Sequence, residues 1–279
     1  MMNFKLKLIV SYLFVLILLF AFSNQTHAKT IKTEHYKFST GSWWSEDEKK
    51  VIENIAVNLD NIWEKVNETL EQELPPKLKL AITKEGLASR SLREEEKVLL
   101  NAIHIKNLSL RDCLDRIAHE TAHFALYKIS KGEITKWENK FLDEGIALYI
   151  GYLYVDEIDE LNILSQKIAK QDIKDGKASL TYLRDWENNV RQKQRQFIKN
   201  WKRENPGENP GLEDFIKGGY RTYFTSYSFF KTFTDKYSLS LMLDILGNIG
   251  AGDTQAEAFQ KITGESLDKF ILEWHNSLI

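Results

Sequence analysis

The sequence has a single cysteine, almost no net charge, and no apolar run long enough to be read at once as a membrane span. Cys113, being alone, excludes an intramolecular disulfide, so stability must come from the core and from any bound metal. A formal net charge of −2 gives no electrostatic footprint for nucleic acid. Apart from one pair of consecutive turn signals, Glu204–Gly207 and Glu208–Gly211, no internal repeat is visible, and no linker is long enough to split off a third domain. What is present is a hydrophobic content of 43%. Over about 250 residues that is enough for one sizeable globular unit.

The longest apolar run, Leu8–Phe22, follows Lys5 and Lys7 and falls short of a spanning helix of roughly twenty residues. Residues 1–28 therefore read as a secretory signal peptide, with Thr26-His27-Ala28 as a small-residue cleavage site. The expected destination is outside the cytoplasm. The alternative is an uncleaved anchor through residues 8–22, which would be the chain's one association with a membrane. With no cysteine near the site, a lipid-modified start is excluded. The first strand is expected a few residues later, which leaves too little chain for a pro-segment folded over a cleft.

The stretch with the most chemistry in it is Arg111–Lys128, which contains His119-Glu120-Thr121-Ala122-His123. On a helix, residues i and i+4 lie about 40° apart around the axis, so both imidazoles leave one face and can hold a zinc ion. Glu120 is too far round to ligate easily but close enough to reach a water on the metal. Leu110, Leu114, Ile117, Ala118, Thr121, Ala122 and Ala125 form a separate stripe that can be buried. The competing reading is a helix with two unrelated histidines.

A third ligand would decide between them. Twenty-one positions after His123 comes Glu144, within Phe141-Leu142-Asp143-Glu144-Gly145-Ile146-Ala147. Thr135-Lys136-Trp137-Glu138 has the pattern of a capping box and predicts that a second helix starts there. Along it Trp137, Phe141, Glu144 and Leu148 share one stripe, which places a carboxylate on an apolar face where an unpaired charge is expensive. A zinc ion on His119 and His123 would supply the cation. Gly132 is the expected stop between the two helices. The competing reading is a core glutamate satisfied by a lysine or arginine.

These two segments together resemble the gluzincin metallopeptidases, the thermolysin-like branch of the zincins, and especially their short bacterial members. The resemblance implies that His119, His123 and Glu144 bind one zinc ion and that Glu120 is the general base. Phe141 stands where tryptophan is frequent in that family, and the gap before Glu144 is a residue or two longer. The metzincin pattern does not apply, because no Gly-x-x-His follows His123 at the right distance.

The order of elements agrees with an α+β fold: a zincin-like subdomain over 29–150, followed by an all-helical subdomain over 151–279 that closes a cleft. Thr33–Ser39 reads as a strand, and Ser45-Glu46-Asp47-Glu48 opens a helix with apolar positions Val51, Ile55, Leu59, Ile62, Val66 and Leu70. Pro75-Pro76 breaks it. Leu78, Leu80 and Ile82 alternate as a strand, and Val98–Ile105 is another. In the family the last strand before the zinc helix pairs its backbone with extended substrate, which here implies Asn101–Lys106; a plain edge strand is the alternative. Beyond Tyr154 the expected helices are Glu157–Gln171, Leu180–Lys202, Asp214–Tyr237, Leu239–Gly247, Thr254–Ile262 and Ser266–Leu278, with a turn at Asp175-Gly176. The basic run Arg191, Lys193, Arg195, Lys199, Lys202 and Arg203 reads as a solvated helix face, with an anionic membrane or acidic substrate as the weaker option.

The resemblance further implies a tyrosine that donates to the oxyanion formed when water adds to a carbonyl. Tyr223 fits the family's spacing best and Tyr227 is next; aromatic core packing is the alternative for both. Asp143 and Asp115 are the nearest candidates for orienting a ligand imidazole. The expected activity is hydrolysis of peptide bonds in a peptide or protein substrate, with zinc-activated water and Glu120 as base. Two other classes remain open: a zincin-fold binding module without turnover, and a zinc hydrolase of a non-peptide amide or ester.

Overall fold

The computed structural model describes residues 29–41, 44–84, 89–107, 109–206, 208, 210, 214 and 216–278. The proposed signal segment, and Gly207, Asn209 and Gly211 of the paired turns, lie outside them. The architecture is α+β, with a five-stranded mixed sheet at the N-terminal end and helices thereafter. Among the described residues no helix is long and apolar enough to cross a membrane.

The strands are β1 (Thr30–Lys32), β2 (Tyr36–Ser39), β3 (Leu78–Thr83), β4 (Arg90–Leu92) and β5 (Lys97–Asn101), in the spatial order β1-β2-β3-β5-β4. The inner strands β2, β3 and β5 run parallel, and β1 and β4 are antiparallel edges. Register places Phe38 opposite Leu80 and Leu80 opposite Val98, so one face of the sheet is apolar and buried. That face packs with α1 (Glu46–Leu70), whose Val51, Ile55, Leu59, Ile62, Val66 and Leu70 are all buried, as expected from their spacing. The Ser45 capping box is also formed: Glu48 N donates to Ser45 Oγ, and Ser45 N donates to Glu48 Oε2 at 2.7 Å. The helix ends at Leu70 with Glu71 left-handed, ahead of Pro75-Pro76.

Three strand expectations need correction. Thr33–Ser39 is not one strand, because Asp60 of α1 captures a turn at its start. His35 N donates to Asp60 Oδ1 at 2.8 Å, Glu34 N to Oδ2 at 3.0 Å and Thr33 Oγ1 to Oδ1 at 2.6 Å. Val98–Ile105 is not one strand either. Asn101 Oδ1 accepts from Ile103 N at 2.9 Å and caps a short helix, α2 (Ala102–Lys106). Asn101–Lys106 is therefore no edge strand. The edge next to β5 is β4, whose three residues show no alternation that a sequence reading could catch.

The central helix α3 (Leu110–Ile129) starts on Ser109, whose Oγ accepts from Asp112 N at 3.2 Å. It is buried along most of its length. Thr121, on the side away from the two histidines, shares a 2.9 Å hydrogen bond with the Tyr36 hydroxyl and ties the helix to β2. After it Gly132, at φ 91°, donates to Tyr127 O at 2.8 Å and turns the chain, as expected.

No capping box forms at Thr135–Glu138. Thr135 Oγ1 donates back to Gly132 O at 2.8 Å, two 3₁₀ turns occupy Glu133–Thr135 and Trp137–Asn139, and α4 begins only at Lys140 (Lys140–Tyr154). Asn139 is spent on tertiary contacts, donating to Glu133 O at 2.8 Å and accepting from Gln255 Nε2 at 2.6 Å. Trp137 is 43% exposed, so the buried stripe runs from Phe141 through Glu144 to Leu148.

The remaining helices are α5 (Ile158–Lys174), α6 (Leu180–Arg184), α7 (Gln192–Glu204), α8 (Arg221–Lys236), α9 (Leu239–Gly250), α10 (Gln255–Thr263) and α11 (Leu267–Leu278). Leu180–Lys202 is thus broken at Asp185 and rejoined through a π-turn over Glu187–Arg191. Asp214–Tyr237 is broken by Gly219 at φ 99°. The six basic residues of 191–203 are all exposed.

Candidate metal centre

α3 supplies His119 and His123, and α4 supplies Glu144. The two helices lie side by side in one continuous core. α8 closes over α4 at Gly145, where a Cβ would lie 2.8 Å from the backbone oxygen of Ser226. Only glycine permits that approach, and it brings the aromatic start of α8 to the side of α4 that carries Glu144.

His119 Nε2 lies 3.3 Å from Glu144 Oε2, and His123 Nε2 lies 3.7 Å from the same oxygen. The three donor atoms fall within 4.8 Å of one another, and all three residues are buried. Ligands at about 2.0–2.1 Å from a tetrahedral ion stand about 3.3 Å apart, so the donor set fits a metal held by two imidazoles and one carboxylate. The chemistry of the donors, two neutral nitrogens and one anionic oxygen, matches a divalent ion. The structure thus brings together the three residues expected to ligate.

Asp143 Oδ1 lies 2.7 Å from His123 Nδ1, the ring nitrogen opposite the converging one. A carboxylate there fixes the tautomer and the ring plane, so the expectation for Asp143 is met in geometry. Asp115 does not do the same for His119. Its Oδ2 pairs with Arg116 Nη2 at 3.0 Å, and both Asp115 Oδ1 and His119 Nδ1 are buried without a hydrogen-bond partner among the described residues.

Two cations that the sequence reading had not placed stand behind this group. Lys140 contacts Asp143 Oδ2 and lies 3.0 Å from Glu144 Oε1. Arg93, from the turn between β4 and β5, donates to Asp143 Oδ2 at 3.0 Å. Burial alone would raise the Asp143 carboxyl, but its contacts with His123, Lys140 and Arg93 outweigh it and hold the group well below the usual carboxylate range. Glu144 is likewise held low against its burial, chiefly by Lys140 and His123. Both carboxylates are therefore ionised. The signal for Lys140 was present as its spacing of three and four residues from Asp143 and Glu144.

Glu120 is buried beside the histidines, and among the described residues its carboxylate has no hydrogen-bond or ion-pair partner. The two tyrosines separate. Tyr227 is fully buried and its hydroxyl donates to Asn162 Oδ1 at 2.6 Å, which commits it elsewhere. Tyr223 is half-buried, packs edge-on to Trp186 at 5.3 Å and stacks with Tyr220 at 5.6 Å. Burial, followed by the negative charge of Glu144, pushes its hydroxyl well above the ordinary value, so it remains a donor. Tyr220 is raised by burial too and feels Glu144 as well; the sequence reading passed over it. Cys113 is buried and its thiol is pushed up by desolvation, so it offers no nucleophile.

No protein-family model matches the sequence, and no curated protein matches it either. The class the chain's own structure supports is an α+β protein with a buried His-His-Glu group able to hold a metal ion.

Proposed function

We propose that the protein is an exported zinc metallopeptidase of the gluzincin type, a zincin fold with its helical half over the cleft. The observation that carries this reading is the convergence of His119 Nε2, His123 Nε2 and Glu144 Oε2, with Glu120, one position along the same helix, having no hydrogen-bond or ion-pair partner among the described residues. A purely structural site has no need of a free carboxylate there.

His119, His123 and Glu144 would hold the ion, and Asp143 would keep His123 in the orientation that presents Nε2. Lewis acidity is what zinc supplies when bound, lowering the pKa of water and polarising a carbonyl. Glu120 takes the proton of the attacking water on its carboxylate and passes it to the leaving amine nitrogen. Tyr223 donates its phenolic hydrogen to the oxygen on which charge develops. β4 is the last strand of the sheet among the described residues. Its outer backbone edge, in place of Asn101–Lys106, is where an extended peptide would pair.

The test is metal analysis of purified protein together with hydrolysis of a peptide library. About one zinc per chain, lost from the His119→Ala, His123→Ala double variant, and cleavage that stops on chelation are expected. Protein without zinc, or zinc that survives the double substitution, would refute the site. Zinc without cleavage would leave a binding module.

A further inference from the structure

Glu144 has two carboxylate oxygens, and the protein engages them differently. Oε2 faces the two imidazoles, at 3.3 Å from His119 Nε2 and 3.7 Å from His123 Nε2. Oε1, the oxygen not paired with the imidazoles, lies 3.0 Å from Lys140 Nζ. Lys140 stands one helical turn before Glu144, and its side chain is largely buried.

The ammonium is itself held in place. It also contacts Asp143 Oδ2, where Arg93 donates at 3.0 Å, while Asp143 Oδ1 is engaged by His123. Moving Lys140 away would strip a fully buried carboxylate of one of its cations, which is costly in a core. A carboxylate can bind an ion through one oxygen or through both. Here the second oxygen is already engaged by the Lys140 ammonium.

We infer that Lys140 is a positioning residue that restricts Glu144 to one metal-binding oxygen and so keeps a coordination position open for water and substrate. This inference rests on the metal-site reading above. The arrangement has a consequence of definite sign. It places a positive charge close to a cation and withholds one ligand atom, so it weakens metal binding in exchange for the open position. If Lys140 served packing alone, removing it would loosen the site and weaken binding instead.

The experiment is titration of metal-free protein with cobalt(II), reading the visible ligand-field spectrum and the dissociation constant against a chelator. It compares the natural protein with Lys140→Met and Lys140→Arg. Lys140→Met is expected to bind cobalt more tightly, by about tenfold or more, because a positive charge beside the ion is removed. Its visible bands should weaken as coordination rises from four to five. Lys140→Arg, which keeps a cation on Oε1, should resemble the natural protein in both. Equal or weaker binding with an unchanged spectrum in Lys140→Met would overturn the role while leaving the metal site intact. Failure of the natural protein to bind cobalt would overturn the site and this inference with it. Should Lys140→Met not fold, Lys140→Met with Asp143→Asn removes the charge pair together and is compared with Asp143→Asn alone. The same tightening and spectral change are expected, and their absence overturns the role.

Discussion

Asp143 Oδ1 meets His123 Nδ1 at 2.7 Å, and this one contact joins the candidate ligands to the loop between β4 and β5, because Arg93 holds the other oxygen of the same carboxylate. Asp143→Ala should therefore weaken zinc binding by about ten- to a hundred-fold, as removal of a group behind a ligand does. Glu144→Ala, which removes a donor outright, should weaken it further. Zinc competition against a chelator measures both, and a larger effect at Asp143 than at Glu144 would contradict the choice of third ligand.

The tyrosines give a paired prediction. Tyr223→Phe should lower peptide turnover by about ten- to a thousand-fold with fold and zinc content intact, since one oxyanion donor contributes roughly that much. Tyr227→Phe should leave turnover nearly unchanged but cost about 0.5–1.5 kcal/mol of stability, because the half-buried Asn162 loses its hydrogen-bond donor. Steady-state kinetics and denaturant unfolding separate them. The reverse pattern would exchange the two roles.

His104 on α2 makes stability depend on pH. Its imidazole is pushed down to about 3, first by burial and then by the positive charge of Arg116. Unfolded, it titrates near 6.5. Between those values the unfolded chain takes up a proton that the folded one refuses, so stability present above pH 6.5 is lost as pH falls toward 3. The slope from this one group is at most about 1.4 kcal/mol per pH unit. Subtracting the unfolding curves of His104→Gln from those of the natural protein should isolate it. Parallel curves for the two proteins over that window would contradict the assignment.

The sequence made the site's core legible because helical geometry is local. The i, i+4 spacing of His119 and His123, and a glutamate on the same buried stripe as Phe141 and Leu148, follow from residue order alone. Asp143 was within reach for the same reason, being next to a ligand. Lys140 was not singled out, because a lysine in the first turn of a helix reads as surface; in the structure its side chain is largely buried against Asp143 and Glu144. The strand ends were obscured by side chains acting at a distance. Asp60 gathers the amides of Glu34 and His35 and the Thr33 hydroxyl from 25 or more residues away, and Asn101 diverts the end of β5 into a helix. A three-residue strand such as β4 leaves no period to detect.

Glu120 carries the central claim. Zinc would be bound by His119, His123 and Glu144, whereas proton transfer would pass through the Glu120 carboxylate alone. Glu120→Gln keeps the shape and nearly the volume and removes the acceptor. The decisive measurement is peptide hydrolysis by Glu120→Gln, made beside its zinc content and melting temperature. The account predicts zinc and melting temperature close to those of the natural protein and loss of nearly all hydrolysis. Full hydrolysis by a zinc-loaded Glu120→Gln protein would contradict it.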